Sequence, residues 1–376
     1  MPNAVRMLFA AGGTGGHLFP GVAVAEAARQ KVGAEILFVG TQHGMEKEMI
    51  PRLGFALQFI PAEQLRGRNW RGTLHSLWAA FGALGVAWRV VRDFAPDLIF
   101  SIGGYASAPT VIVGWLRRIP CILLEPNAIP GMTNKWLGRL ATRVCVGFPQ
   151  TVTVFPAGKA VCTGNPVRWT ANRLQDDASV PAPSKTQCTL LIFGGSAGAR
   201  RLNQTLPQAL ALLGDQRANV RIVHQTGKAD HAEVSATYLR LGLQAEVVPF
   251  IDNMQEMYLA TDLVVCRAGA TTIAELTSLG KAAILIPYPY AVDDHQRANA
   301  EILVQAGAAR MVLDAELTPE RMRDEIRTLI TDRTQLAAMG SAAKTVGRPD
   351  ATSAVVRECL ACLPPDRRVQ QEVAWR

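Results

Sequence analysis

The sequence predicts an α/β protein of two doubly wound, Rossmann-like domains facing one another across a cleft. Three observations lead there. Apolar runs alternate with helical stretches along the chain, the alternation restarts once near the middle, and one strand in each half ends in a matched glycine turn. The length of 376 residues agrees, being too great for one ordinary core.

In the first half the strand-like runs are VRMLFAA (5–11), EILFVG (35–40), PDLIFSIG (96–103), CILLEP (121–126) and RVCVGF (143–148). The second half has TLLIFGG (189–195), VRIVHQ (220–225), AEVVPFI (245–251), DLVVCRAG (262–269) and AAILIPYP (282–289). Residues 1–167 are expected to form the first domain, completed by a C-terminal helix at 347–364. Residues 168–346 are expected to form the second, followed by a tail at 365–376. The proline-bearing stretch LQDDASVPAPSKTQC (174–188) reads as a surface loop just inside the second domain.

Composition narrows the class. With 49% hydrophobic and 19% charged residues the chain is globular, without disordered bulk. The first residues, MPNAVRMLFAAGG, do not read as a signal peptide. Seven cysteines, mostly single within apolar runs, suggest a reduced compartment. Cys359 and Cys362 form a CxxC without a second pair, which reads as a helix carrying two small apolar residues. The net charge of +8 is uneven: residues 1–167 hold 16 Lys/Arg against 8 Asp/Glu, and residues 168–376 hold 23 against 23. The first half therefore favours an anionic partner. Nucleic acid is not expected, since there is no zinc-finger spacing and no basic run, and aromatic residues are only 6%.

The helical stretch 73–91 is unusual. No charge falls between Gly72 and Trp88, and Leu74, Leu77, Trp78, Phe81, Leu84 and Trp88 share one face. Two readings stay open, an ordinary core helix and a helix whose apolar edge meets a bilayer while Arg66, Arg68, Arg71, Arg89 and Arg92 meet acidic headgroups. Trp115, Arg117 and Arg118 extend the second reading. The contact would be peripheral, because the uncharged run is too short to span.

The glycine turns carry the chemistry. In AAGGTGGHLFPG (10–21) and LIFGGSAGAR (191–200) an apolar strand runs through glycines into a helix, presenting backbone N–H groups and a helix N-terminus to an anion. Neither is a Walker A loop, and neither is a dinucleotide fingerprint followed by a ribose-binding acid. His17, at the start of the first helix, is either a cap or packing residue, or a base or hydrogen-bond donor at the cleft, kept neutral by the positive helix end. Arg168, ending GNPVR (164–168), suits a phosphate clamp. No Asp-x-Asp handle for a metal-bound diphosphate occurs, no Cys/His cluster suggests zinc, and no G-x-S-x-G suggests a serine hydrolase.

Seven segments in order resemble one family: GGTGGH, SIGGYAS (101–107), PNAIPGMTNKWL (126–137), GNPVR, GGSAGAR, RAGATTIAE (267–275) and DDHQRANA (293–300). They are similar to MurG, the bacterial N-acetylglucosaminyltransferases of the last cytoplasmic step in peptidoglycan precursor synthesis. The resemblance runs from about residue 5 to about residue 345. It implies a metal-independent, cofactor-free glycosyltransferase of the GT-B fold. The donor would be UDP-N-acetylglucosamine (UDP-GlcNAc). The acceptor would be lipid I, an undecaprenyl-diphosphate-linked N-acetylmuramoyl (MurNAc) pentapeptide. It implies work at the cytoplasmic face of the plasma membrane, on an anionic phospholipid surface and beside other wall-synthesis enzymes, with consequences for cell shape and division.

Carried onto this chain, the resemblance puts uracil near Phe250 and Ile251 and the ribose hydroxyls at Glu275. The donor diphosphate falls at Ser196 and Arg168, phosphate and sugar among Ala270, Thr271 and Thr272, and the GlcNAc hydroxyls at Asn127 and Gln296. Thr14, Gly15, Gly16 and His17 also face the donor, with His17 as catalytic base. The acceptor diphosphate would lie at Gly12, Gly13, Thr14, Gly15 and Gly16, with Gly103, Gly104, Tyr105 and Ser107 beside it. Three positions depart from the family pattern: Pro126 for glutamine, Ala268 for serine, and Arg297 where some members carry a second glutamine. Another lipid glycosyltransferase or a UDP-sugar epimerase of this fold, or a non-catalytic UDP-sugar sensor, are the alternatives.

Overall fold

The computed structural model describes residues 4–11, 15–42, 44–61, 70–168, 187–195 and 198–364. The chain divides into two compact units, one of residues 1–168 with 350–376 and one of residues 169–349.

The first unit is built on β1 (Arg6–Ala10), β2 (Glu35–Gly40), β3 (Ala56–Phe59), β4 (Leu98–Ser101), β5 (Cys121–Glu125), β6 (Arg143–Val146) and β7 (Ala160–Cys162). Helices α1 (Gly15–Val32), α2 (Glu46–Arg52), α3 (Trp70–Phe94), α4 (Ala108–Leu116) and α5 (Met132–Leu140) connect them. All pairings are parallel, in the order β3-β2-β1-β4-β5-β6-β7. Parallel strands need helical crossovers, which cover both faces, so the central strands must be apolar on both sides. Along β1, Met7 and Phe9 enter one core layer and Leu8 the other. The Phe9 ring lies between Phe38 at 5.1 Å and Phe100 at 5.2 Å, which ties β1 to both neighbours.

The second unit repeats the plan with β8 (Cys188–Phe193), β9 (Val220–Gln225), β10 (Ala245–Val248), β11 (Leu263–Cys266), β12 (Ala282–Leu285) and β13 (Ala309–Met311). Its helices are α6 (Arg200–Ala211), α7 (His231–Arg240), α8 (Met254–Leu259), α9 (Ala270–Leu279), α10 (His295–Gln305), α11 (Pro319–Thr331) and α12 (Arg333–Val346). The parallel order is β10-β9-β8-β11-β12-β13. Leu190 and Ile192 of β8 pack with Leu202 and Leu206 of α6 and Ile326 and Leu329 of α11.

After the second unit the chain returns. Helix α13 (Ala351–Ala361) puts Val355, Val356, Cys359 and Leu360 into the same core layer as Met7, Phe9 and Val22. Arg143 of β6 pairs with Glu358 at 3.0 Å, and the Thr352 hydroxyl donates to the Val167 carbonyl at 2.9 Å. Burial pushes the Cys359 thiol well above its ordinary pKa, so that sulfur acts as a packed apolar group.

Some details differ from the sequence reading. Cys188 is the first residue of β8 rather than the end of a loop, and residues 174–186 lie outside the described residues. Arg168 groups with the first unit, where its guanidinium is 3.8 Å from Glu26. Strands β3, β7 and β13 were not foreseen. They are three or four residues long, and none is fully buried along its length. The tail at 365–376 is outside the described residues.

The Phe9 packing yields a test. Phe9→Ala should destabilise the first unit by about 3–5 kcal/mol. Urea unfolding followed by proteolytic mapping should show early opening of residues 1–168, with the second unit's transition unmoved.

Candidate functional site

In an open parallel sheet, ligands bind beyond the carboxyl ends of the strands where the winding direction reverses. In the first unit that point lies between β1 and β4, and in the second between β8 and β11. The four loops leaving these strands are GGTGGH, SIGGYAS, GGSAGAR and RAGATT. Each pair of motifs, far apart in sequence, is thus brought to one switch point.

At the first switch point the Ile102 N–H donates to the Ala10 carbonyl at 3.1 Å, holding the two loop bases together. Gly12, Gly13 and Thr14 lie outside the described residues. Gly15, Gly16 and His17 form the first turn of α1, and the His17 side chain is likewise outside the described set. Gly103 and Gly104 have φ of 90° and 82°, a region that favours glycine. The Gly103 N–H donates to Ser101 Oγ at 3.2 Å, and the Ser107 hydroxyl donates to the Gly104 carbonyl at 2.8 Å. Tyr105 to Ser107 make a short 3-10 turn into α4.

This loop is backed by residues that sequence reasoning missed. Glu125, 1% exposed at the end of β5, accepts four N–H groups. Oε1 takes the Asn127 backbone N–H at 2.9 Å and its Nδ2 at 3.2 Å. Oε2 takes the Gly131 N–H at 3.1 Å and Asn134 Nδ2 at 2.9 Å. A buried carboxylate is tolerated only when satisfied in this way. Asn134 also backs the other loop, since a Cβ on Gly103 would fall 2.9 Å from its Nδ2. The PNAIPGMTN and GGYAS motifs therefore form one structure, with Asn127 oriented by Glu125 despite Pro126 before it. The faint signal was a lone acid closing an otherwise apolar five-residue run.

At the second switch point Ser196 and Ala197 lie outside the described residues, but the flanks of the turn are defined. Gln225 Nε2 donates to the Gly195 carbonyl at 3.0 Å. Gly198, with φ of 81°, sits so close to the Thr226 carbonyl that a Cβ would fall 1.9 Å from its oxygen. No side chain fits there. The RAGATT loop leads into α9, with Ala270, Thr271 and Thr272 in its first turn and Glu275 one turn on. The Tyr258 hydroxyl, wholly buried and edge-on to Phe193, donates to Glu275 Oε2 at 2.9 Å. Burial and the neighbouring Glu275 push the Tyr258 pKa well up, so the phenol keeps its proton and the bond persists.

Gln296 lies in the first turn of α10, and its Oε1 accepts the Tyr288 N–H at 3.0 Å. Asp293 and Asp294 just before it have φ of 53° and 51°, an unfavourable pair for non-glycine residues. Arg297 pairs with Glu301 at 2.9 Å along the same helix, so it is engaged on the surface of α10. Phe250, 46% exposed, and half-buried Ile251 follow β10. Arg267, mostly buried, pairs with Asp314 at 2.6 Å, donates to the Ile286 and Pro287 carbonyls, and stacks on Tyr288. Asn299 Nδ2 donates to the carbonyl of buried Ala268 at 3.3 Å. Among the described residues no group of three or more His, Cys, Asp or Glu side chains is placed to hold a metal ion.

Away from the switch points, Trp88 and Trp115 are 45% and 50% exposed, on α3 and α4. Arg117 lies over the Trp88 ring at 5.5 Å, which joins the two helices into one apolar and basic surface with Arg89, Arg92 and Arg118, all exposed. Trp136 of α5, 63% exposed, carries Arg139 over its ring at 4.8 Å. The side chains of Trp78 and Phe81 lie outside the described residues. Among the described residues no helix is long and apolar enough to cross a membrane.

Comparison with known proteins bears on both units. Residues 7–146 match the glycosyltransferase family 28 N-terminal domain, and residues 189–355 match the family's C-terminal domain. A UDP-N-acetylglucosamine–N-acetylmuramyl-(pentapeptide) pyrophosphoryl-undecaprenol N-acetylglucosamine transferase of Geobacter metallireducens is 44% identical over 95% of this chain and 98% of that protein. A protein of the same description from Myxococcus xanthus is 43% identical over 95% of this chain and 92% of its own length. The crystal structure of Acinetobacter baumannii MurG superposes with a TM-score of 0.77 at 33% identity, covering 96% of this chain and all of that one. A UDP-GlcNAc 2-epimerase from Neisseria meningitidis, at TM-score 0.67 and 14% identity, shares the fold alone. With both family domains matched in order on two parallel-sheet units of the GT-B type, the chain belongs to glycosyltransferase family 28, in its MurG group.

Proposed function

We propose that the chain transfers GlcNAc from UDP-GlcNAc to the 4-hydroxyl of MurNAc in lipid I, with inversion, giving lipid II for peptidoglycan synthesis. The observation that carries this reading is the convergence of the family's motif loops on the two switch points. In this reading the second unit takes the donor. Phe250 and Ile251 meet uracil, Glu275 accepts the ribose hydroxyls, and the turn around Ser196 with Arg168 receives the diphosphate. Ala270, Thr271 and Thr272 surround phosphate and sugar, while Asn127 and Gln296 hold GlcNAc hydroxyls. The first turn, Gly12 to Gly16, and the Gly103–Gly104–Tyr105–Ser107 loop receive the acceptor diphosphate.

The reaction makes one bond and breaks one. The acceptor oxygen attacks the anomeric carbon opposite UDP, the carbon–oxygen bond to the diphosphate breaks, and the hydroxyl proton passes to His17. Negative charge grows on the departing UDP, and backbone N–H groups, the α6 N-terminus and Arg168 stabilise it without a metal. The apolar and basic surface around Trp88, Trp115 and Arg117 rests on anionic lipid at the cytoplasmic face of the plasma membrane, where lipid I resides.

Labelled GlcNAc should pass from UDP-GlcNAc to a short-chain lipid I analogue in buffer containing EDTA. Donor binding without transfer would point to another acceptor or a sensor, and loss of transfer on chelation would refute metal independence. His17→Ala should lower kcat about a hundred-fold or more while UDP-GlcNAc affinity stays within a few-fold. A near-normal rate in that variant would end the base assignment. Replacing Arg89 and Arg117 together by glutamine should weaken binding to anionic vesicles by about 2 kcal/mol at low salt, with little effect on neutral vesicles. Unchanged vesicle binding would sink the membrane assignment.

A further inference from the structure

Beneath the second glycine turn runs a buried chain of polar side chains that no step above uses. His224 of β9 is fully buried, with Tyr238 of α7 on one side and Asn203 of α6 on the other. Its Nδ1 is 2.9 Å from the Tyr238 hydroxyl, and its Nε2 is 3.1 Å from Asn203 Oδ1. Asn203 Nδ2 reaches the Thr226 carbonyl at 2.8 Å and Asp230 Oδ2 at 2.8 Å.

One end of this chain fixes the direction of every proton in it. A backbone carbonyl can only accept, so the amide nitrogen of Asn203 faces Thr226 and its oxygen faces the ring. That oxygen also only accepts, so Nε2 carries the hydrogen. Burial holds the ring neutral, its pKa lowered to about 3, which leaves Nδ1 as an acceptor for the Tyr238 hydroxyl. Buried networks of this kind rigidify what they connect when every member is satisfied.

What they connect here is the turn. The residue after His224 is Gln225, whose side chain holds the Gly195 carbonyl, and the next is Thr226, whose carbonyl lies against Gly198. Asn203 stands on the helix that the turn opens. His224 and Tyr238 are too deeply buried to touch a ligand themselves.

We infer that His224 is a positioning residue for diphosphate recognition. By orienting Asn203 and the Thr226 carbonyl, it holds Gly198 and, through the adjoining Gln225, Gly195, the two flanks of the turn that the proposed function gives to the phosphates of a nucleoside diphosphate. The inference rests on the reading of that turn as the donor diphosphate site. A ligand that lacks phosphates should be indifferent to it.

The test compares inhibition constants of UDP and uridine, both competing with UDP-GlcNAc in the transfer assay. His224→Leu, which fills the space but donates nothing, should weaken UDP about tenfold or more and leave uridine within about twofold. His224→Gln, whose amide can still donate to Asn203 Oδ1, should recover most of the loss. Tyr238→Phe should weaken UDP a few-fold with uridine unchanged, and it serves with His224→Gln if the leucine variant does not fold. Equal weakening of UDP and uridine, or no change in either, would overturn the inference while leaving the donor reading intact. Wild-type protein that binds UDP no better than uridine would overturn both.

Discussion

The placement of the family's motif loops hangs on one geometric constraint, the reversal of winding direction at the middle of a parallel sheet. Strands β1 and β4 pair side by side, yet their crossovers leave in opposite directions, so the loops at their ends diverge from one point. The pairing of β8 with β11 does the same in the second unit. Nothing in the strands themselves binds a ligand. They are apolar on both faces and supply only the platform. In the proposed function the chemistry falls to the glycine turns, because a turn without side chains lets N–H groups approach an anion directly.

Each unit backs its switch-point loops with buried polar side chains. In the first unit Glu125 gathers four N–H groups from Asn127, Gly131 and Asn134. In the second the chain from Tyr238 to Asp230 runs under the glycine turn. Glu275 is likewise fixed by Tyr258. Such groups are expensive to bury, and their presence beside the switch points suits sites that demand stiffness rather than packing alone.

The fold was legible where the physics is local. Runs such as TLLIF and DLVVC, buried on both faces, announce central parallel strands, and glycine clusters announce the turns after them. The short edge strands escaped notice. ALQF in β3 alternates between exposed and half-buried positions, and AVC and ARM are three residues long, so neither periodicity nor apolar density marks them. The family's motif segments were readable because each is contiguous in the sequence, and all but DDHQRANA contain glycine. Glu125, Asn134, His224 and Tyr258 were not, since their meaning depends on partners nine to twenty-one positions away.

Helix α13 has a consequence for how the protein comes into being. The entire second unit is inserted between the body of the first and the helix that finishes its core. On the ribosome the N-terminal unit therefore emerges first and is completed last, waiting with the apolar faces of α1 and β1 incompletely covered while the downstream unit is made. Domains usually fold in the order of their synthesis. Here the later-made unit can close first, and the older one is sealed when Val355, Val356 and Cys359 arrive.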